Sequence, residues 1–224
     1  MFKNINQKHF YNLFFILLLF YLICDMTKQI DVEAFAEGQE IILIGDSVLN
    51  NSNYVEKGKT VFDNIEKQHE KVLLLAKDHA IVEDLLRQFS EMHEHLNIIS
   101  TTIFISIGGN DILHYNPMSG INENRFIDLL FNDYINIINQ LYNEWNLKAR
   151  IVFCTIYFPQ KEEYKQYYNM IKRWNTKLRE YANEHEHNVL ELDKILNKDE
   201  YFVHSIEPSE KGSKVIADKI LKYN

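Results

Sequence analysis

Cysteine is almost absent from this chain. Cys24 and Cys154 are the two it carries in 224 residues, too few for a disulfide framework and wrongly spaced for zinc. Three prolines and seven glycines leave little room for low-complexity linkers. There is no run of lysine and arginine, and a formal net charge of −8 argues against a nucleic-acid backbone as partner. No repeat at solenoid periods occurs. Neither common phosphate-cradling glycine loop is found either, which removes support for nucleotide binding.

What is present is an ordinary globular composition, 46% hydrophobic and 25% charged, enough for a sizeable core in one domain. Ahead of that domain, Lys3 and Lys8 precede twelve unbroken apolar residues at 13–24. A basic segment followed by such a run predicts export or membrane tethering. The run is short for a spanning helix of roughly 20 residues, although extension back through Phe10 and Tyr11 would make an uncleaved anchor. Ala34-Phe35-Ala36, well downstream, is the only small-x-small site, so cleavage stays open. Residues 1–36 are therefore read as leader or anchor plus a short linker, and 37–224 as the domain.

The domain is organised around Ile41-Ile42-Leu43-Ile44-Gly45-Asp46-Ser47. Four apolar residues, two turn-formers and a serine describe a buried strand that ends by presenting a hydroxyl. Thr102-Ile103-Phe104-Ile105-Ser106-Ile107 repeats the design and empties into Gly108-Gly109-Asn110-Asp111. Further apolar runs predict strands at Val72–Ala76, Ile151–Cys154 and Val189–Leu192. Between them, spacings of three and four predict helices near Lys59–Gln68, over Val82–Met92, from Phe126 to Trp145 and over Glu162–Asn183, with a last one starting at Pro208-Ser209-Glu210. Strands alternating with helices signal βαβ units. The expected architecture is α/β: a three-layer α/β/α sandwich on a five-stranded, mainly parallel sheet.

In such a sheet ligands bind at the carboxyl ends of the strands, where Ser47 and Asn110 both fall. A serine hydroxyl needs a base to take its proton and donors to hold the oxyanion that forms. The Asn110 amide is such a donor, and Gly108 and Gly109 allow the tight turn that would aim it. Asp46 and Asp111 read as braces of their turns, and Cys154 as a small core residue. Glu184-His185-Glu186-His187 and His93-Glu94-His95 read as solvated helix ends before they read as metal ligands. The tyrosines at 164, 167, 168 and 181 read as core and rim.

These blocks resemble the SGNH hydrolases, the GDSL-like lipase and esterase superfamily. Ile44-Gly45-Asp46-Ser47 matches the first block, with Ser47 in the nucleophile position. Gly108-Gly109-Asn110-Asp111 matches the third, with Asn110 as the oxyanion asparagine. Ile206 to Gly212 matches the closing block, and the likeness spans roughly residues 40–222. The glycine-rich elbow of the α/β-hydrolases is absent. The resemblance implies a flavodoxin-like sheet and ester cleavage through an acyl-enzyme on Ser47, with no metal or organic cofactor. The oxyanion would be held by the Ser47 N–H, the backbone at residue 79 and Asn110. The substrate would be a small-molecule, lipid or glycan ester, and membrane association would run through the N-terminal apolar segment.

Two blocks depart from the family pattern. His79 stands where the second block usually has glycine, and the closing Asp-x-x-His reads His204-Ser205-Ile206-Glu207. Three arrangements follow. His204 acts as base with Glu207 orienting it, or His79 is the base. Alternatively, Glu207 is only an acceptor, in a protein that binds esters or glycans without cleaving them. A flavodoxin-like ligand binder is a distant alternative for want of a phosphate loop.

Overall fold

The computed structural model describes residues 39–92, 100–143 and 147–223. The apolar run at 13–24, the site at 34–36, His93-Glu94-His95 and Trp145 lie outside them, as do the export and tethering expectations. Among the described residues no helix is long and apolar enough to cross a membrane.

Five parallel strands form the sheet: β1 (Glu40–Gly45), β2 (Val72–Leu74), β3 (Thr101–Ser106), β4 (Arg150–Cys154) and β5 (Asn188–Leu190). Their order is β2-β1-β3-β4-β5. The chain thus moves outward from β1 to β2, then crosses back to the other side of β1 for β3. That reversal places a topological switch point between the ends of β1 and β3, where the crevice of an open α/β sheet opens.

The middles of the central strands are apolar because both faces are covered. Successive side chains alternate, so Ile42, Ile44, Ile103, Ile105, Ile151 and Phe153 enter one core. Ile41, Leu43, Phe104, Val152 and Cys154 enter the other. The first face is covered by α2 (Leu85–Glu91), α4 (Glu123–Asn143) and α5 (Tyr168–Glu184), through Phe89, Tyr134, Ile138, Trp174 and Leu178. The second is covered by α1 (Val61–Glu66) and α7 (Glu210–Ile220), through Ile65, Ile216 and Ile220. Two shorter helices also occur among the described residues, α3 (Gly109–Leu113) and α6 (Leu192–Ile195). These elements belong to one compact unit, Gln39–Asn224.

The predicted sandwich is the observed one, with local differences. The stretch at 82–92 opens as a 3-10 turn over Val82–Asp84, and only seven residues of α-helix follow. Leu86, which the three-and-four spacing would turn inward with Val82, Leu85 and Phe89, is 41% exposed. Residues 162–167 are likewise a 3-10 turn ahead of α5, which leaves Tyr164 half-buried at the rim. The Gly108-Gly109-Asn110-Asp111 turn runs straight into α3. An antiparallel hairpin, β6 (Phe202–Val203) with β7 (Glu207–Pro208), precedes α7 and has no counterpart in the sequence pattern. Ser209 caps α7 by accepting from the Gly212 N–H at 3.2 Å.

Candidate active site

Ser47 is delivered by the end of β1. Gly45 has φ +125, and a Cβ there would fall 1.7 Å from the Ser106 carbonyl oxygen, so only glycine lets β1 and β3 approach this closely. Buried Gln88 holds the Gly45 backbone on both sides, accepting from its N–H at 2.7 Å and donating to its carbonyl at 2.9 Å. Asp46 then braces the turn, accepting from the Val48 N–H and the Ser106 hydroxyl, each at 3.1 Å. Burial pushes its carboxyl up to about 7 against these two bonds. Asp111 braces the neighbouring loop by accepting from Val82 N–H at 3.1 Å, and burial raises it to about 6.

Asn110 is delivered by β3 and the first turn of α3. Gly108 takes φ +98 against the Trp174 ring, 2.7 Å from where a Cβ would lie. One hydrogen of the Asn110 amide goes to the Ala80 carbonyl at 2.9 Å. A carboxamide has two such hydrogens, so one remains for another acceptor. Ser47, Asn110 and Glu207 line a single cavity of about 50 Å³. Its wall is apolar: Ile112, Leu113, Ile156, Pro159 and Ile171.

The group facing Ser47 is a carboxyl. Glu207 is buried, 8% exposed, and its Oε2 has no hydrogen-bond partner among the described residues. Burial raises its pKa above the ordinary glutamate value, and Asp78 adds to the rise. The Ser47 hydroxyl acts in the opposite direction as a hydrogen-bond donor, with smaller help from His79 and His204.

Neither imidazole occupies that place. His204 is exposed, and its ring meets Tyr54 edge-on at 6.3 Å between centroids. The His79 side chain is 79% exposed, with Nε2 at 3.6 Å from Asp78. Its backbone keeps φ +60, the conformation a glycine would take. Among the described residues neither the Ser47 nor the His79 backbone N–H has a protein acceptor. His185 and His187 instead stack with Tyr181 at the far end of α5.

The apolar wall was not foreseen in the sequence. Ile156 and Pro159 follow β4 directly, and a place after a strand end is the signal from which they could have been read.

A family model described as GDSL-like Lipase/Acylhydrolase family matches residues 43–215. No curated protein matches the chain. Its fold is similar to that of a lipolytic protein of the G-D-S-L family from Veillonella parvula, at 20% identity and TM-score 0.66, over 83% of this chain and 97% of that one. The lipase Lip_vut3 from a goat rumen metagenome is similar at 15% identity and TM-score 0.67, over 83% and 97%. The psychrotrophic esterase EstA from Pseudoalteromonas sp. is similar at 14% identity and TM-score 0.61, over 83% and 96%. At these identities the solved structures speak for the fold alone. The family model covers most of the sequence, and on that ground the chain belongs to the GDSL-like lipase/acylhydrolase family.

Proposed function

We propose that this chain hydrolyses carboxylic esters through an acyl-enzyme on Ser47, with Glu207 as the base. Ser47 Oγ attacks the ester carbonyl carbon while its proton passes to the Glu207 carboxylate. The tetrahedral oxyanion is held by the Ser47 N–H, the N–H of residue 79 and the free hydrogen of the Asn110 amide. Collapse expels the alcohol, which takes the proton from Glu207. Water then repeats the sequence on the acyl carbon and releases the acid. Positioned proton transfer contributes about 10²–10⁴-fold to the rate. One oxyanion donor contributes about 3–4 kcal/mol.

One observation carries this reading: Ser47, the buried Glu207 and the Asn110 amide line one cavity. The small apolar wall suits the acyl side of the ester. A structure of the Pseudoalteromonas esterase is one inhibited by monoethylphosphonate, which makes a phosphonate the natural probe. Incubation with a fluorophosphonate should label the protein, p-nitrophenyl acetate should turn over, and Ser47→Ala should abolish both. Retention of either in Ser47→Ala refutes the assignment.

Binding without cleavage is the second reading, favoured by the exposure of both candidate imidazoles. It predicts no labelling and no turnover from neutral to alkaline pH, with ester ligands still protecting the fold against heat. We infer an extracytoplasmic location from residues 13–24 alone. A reporter active only outside the cytoplasm, fused after residue 38, should be silent if that inference fails.

A further inference from the structure

The carboxyl facing Ser47 does not belong to the main sheet. Glu207 sits on β7, a two-residue strand that among the described residues pairs only with β6. It follows two residues held in the left-handed region, His204 at φ 48 and Ser205 at φ 82. A ladder this short is a weak support for a proton acceptor, which has to be held to within about 0.5 Å of its productive position.

Two buried side chains supply the missing support. Asn51, fully buried, donates from Nδ2 to the Pro208 carbonyl at 3.0 Å and to Ser213 Oγ at 2.6 Å. Its Oδ1 accepts from the Val61 N–H at 3.1 Å. The Pro208 carbonyl can only accept and the Val61 N–H can only donate, so the amide has one allowed orientation. On the other side of Glu207, the Tyr157 hydroxyl donates to the Ile206 carbonyl. The carbonyls immediately before and after Glu207 are thus bonded by side chains from two different strand-end loops. Asn51 lies in the same loop as Ser47, four residues on.

We propose that Asn51 and Tyr157 are positioning residues that clamp Glu207 from its two sides and hold its carboxyl against Ser47. The clamp rests on the ester-hydrolase reading with Glu207 as base. Asn51 ties the nucleophile's loop to the strand of its proton acceptor, so the two cannot drift apart independently. Tyr157 prevents the hairpin from rotating about that tie.

Tyr157→Phe is the cleanest test, because the ring keeps its packing on Phe202 (5.1 Å between centroids) and only the hydroxyl is lost. With p-nitrophenyl acetate, kcat is expected to fall about 10- to 100-fold, the cost of a displacement on the order of 1 Å. KM should stay within about threefold, since ground-state binding is untouched. The acid limb of the pH profile should shift while thermal stability changes little. In a Glu207→Gln background the same substitution should cost nothing further, because the hydroxyl acts through that carboxyl. Asn51→Ala should show the same kinetic signature together with a lower Tm; should it not fold, Tyr157→Phe decides alone. A kcat for Tyr157→Phe within about twofold of wild type, or an equal loss in both backgrounds, overturns the clamp. If the wild type itself neither labels nor turns over, the hydrolase reading fails and takes the clamp with it.

Discussion

Replacing Glu207 by glutamine should make the protein slower and more stable in the same step. Glu207 is 8% exposed, and among the described residues its Oε2 has no partner, so ionising it costs desolvation that the Ser47 hydroxyl offsets only in part. Burial accordingly raises its folded pKa above the unfolded value. Between those two pKa values the folded state binds more protons than the unfolded state, so stability falls as pH rises through that window. Glutamine keeps the size and cannot ionise. At about pH 8 the variant should gain on the order of 1–3 kcal/mol, the cost of an unsatisfied buried polar group. That corresponds to roughly 2–4 °C in Tm for each kcal/mol in a chain of this size. The gain should shrink at a pH well below this, where the wild-type carboxyl takes up its proton. The rate should move the other way, with kcat for p-nitrophenyl acetate falling about 10²–10⁴-fold. Scanning calorimetry at the two pH values and steady-state kinetics measure both effects on one preparation. Refutation would be a Glu207→Gln rate near wild type while His204→Ala or His79→Ala loses about a hundredfold, since the base would then be an imidazole.

Asn110→Ala should lower kcat about 10²–10³-fold with little change in KM, as loss of one oxyanion donor does. The lost bond to the Ala80 carbonyl should cost only about 1 kcal/mol of stability, and a change in KM alone would contradict the role. Asp46→Asn keeps an acceptor for Val48 and Ser106 and removes a carboxyl that burial holds at about 7, well above the ordinary aspartate range. Native Asp46 retains its proton across that range, so the wild type should lose on the order of 4 kcal/mol of stability as pH rises from about 4 through 7. Melting curves of Asp46→Asn should lack that loss. His79→Gly should stabilise the fold by roughly 0.5–1 kcal/mol, because the backbone already sits at φ +60, where glycine carries no penalty. Its kcat should stay within a few fold; a loss of about a hundredfold would make the His79 imidazole the base.

The sheet and most helices were legible because their signals are local and long. β1 and β3 read as continuous apolar runs since both faces are buried, and Ser47 and Asn110 follow directly from where those runs stop. The hairpin that carries Glu207 was not legible. Its strands are two residues each, and Pro208 reads against a strand. The placement of Glu207 also depends on φ 48 at His204 and φ 82 at Ser205, conformations uncommon outside glycine and not signalled by either residue. That backbone turns the carboxyl toward Ser47 and leaves the His204 ring outside. The contacts of Asn51 and Tyr157 span 157 and 49 positions, beyond the reach of any periodicity.

A carboxyl in the place of an imidazole changes what the fold has to supply. An imidazole needs a third group to fix its tautomer and orientation, whereas a carboxylate accepts through either oxygen and has no tautomer to fix. The position that would hold the orienting acid is thereby released, and His204 lies there on the surface beside Tyr54. At its ordinary pKa of about 4.3 a glutamate is a weak base for a serine hydroxyl at neutral pH. Burial and the nearby Asp78 move Glu207 toward the useful range, while Ser47, His79 and His204 limit the rise. What a carboxylate needs in exchange for the missing partner is a dry, fixed seat. The apolar cavity wall and the two bonded carbonyls around Glu207 provide those two conditions separately. Tyr157→Phe therefore loosens placement without wetting the wall, and the Glu207→Gln background shows whether that placement acts through the carboxyl alone.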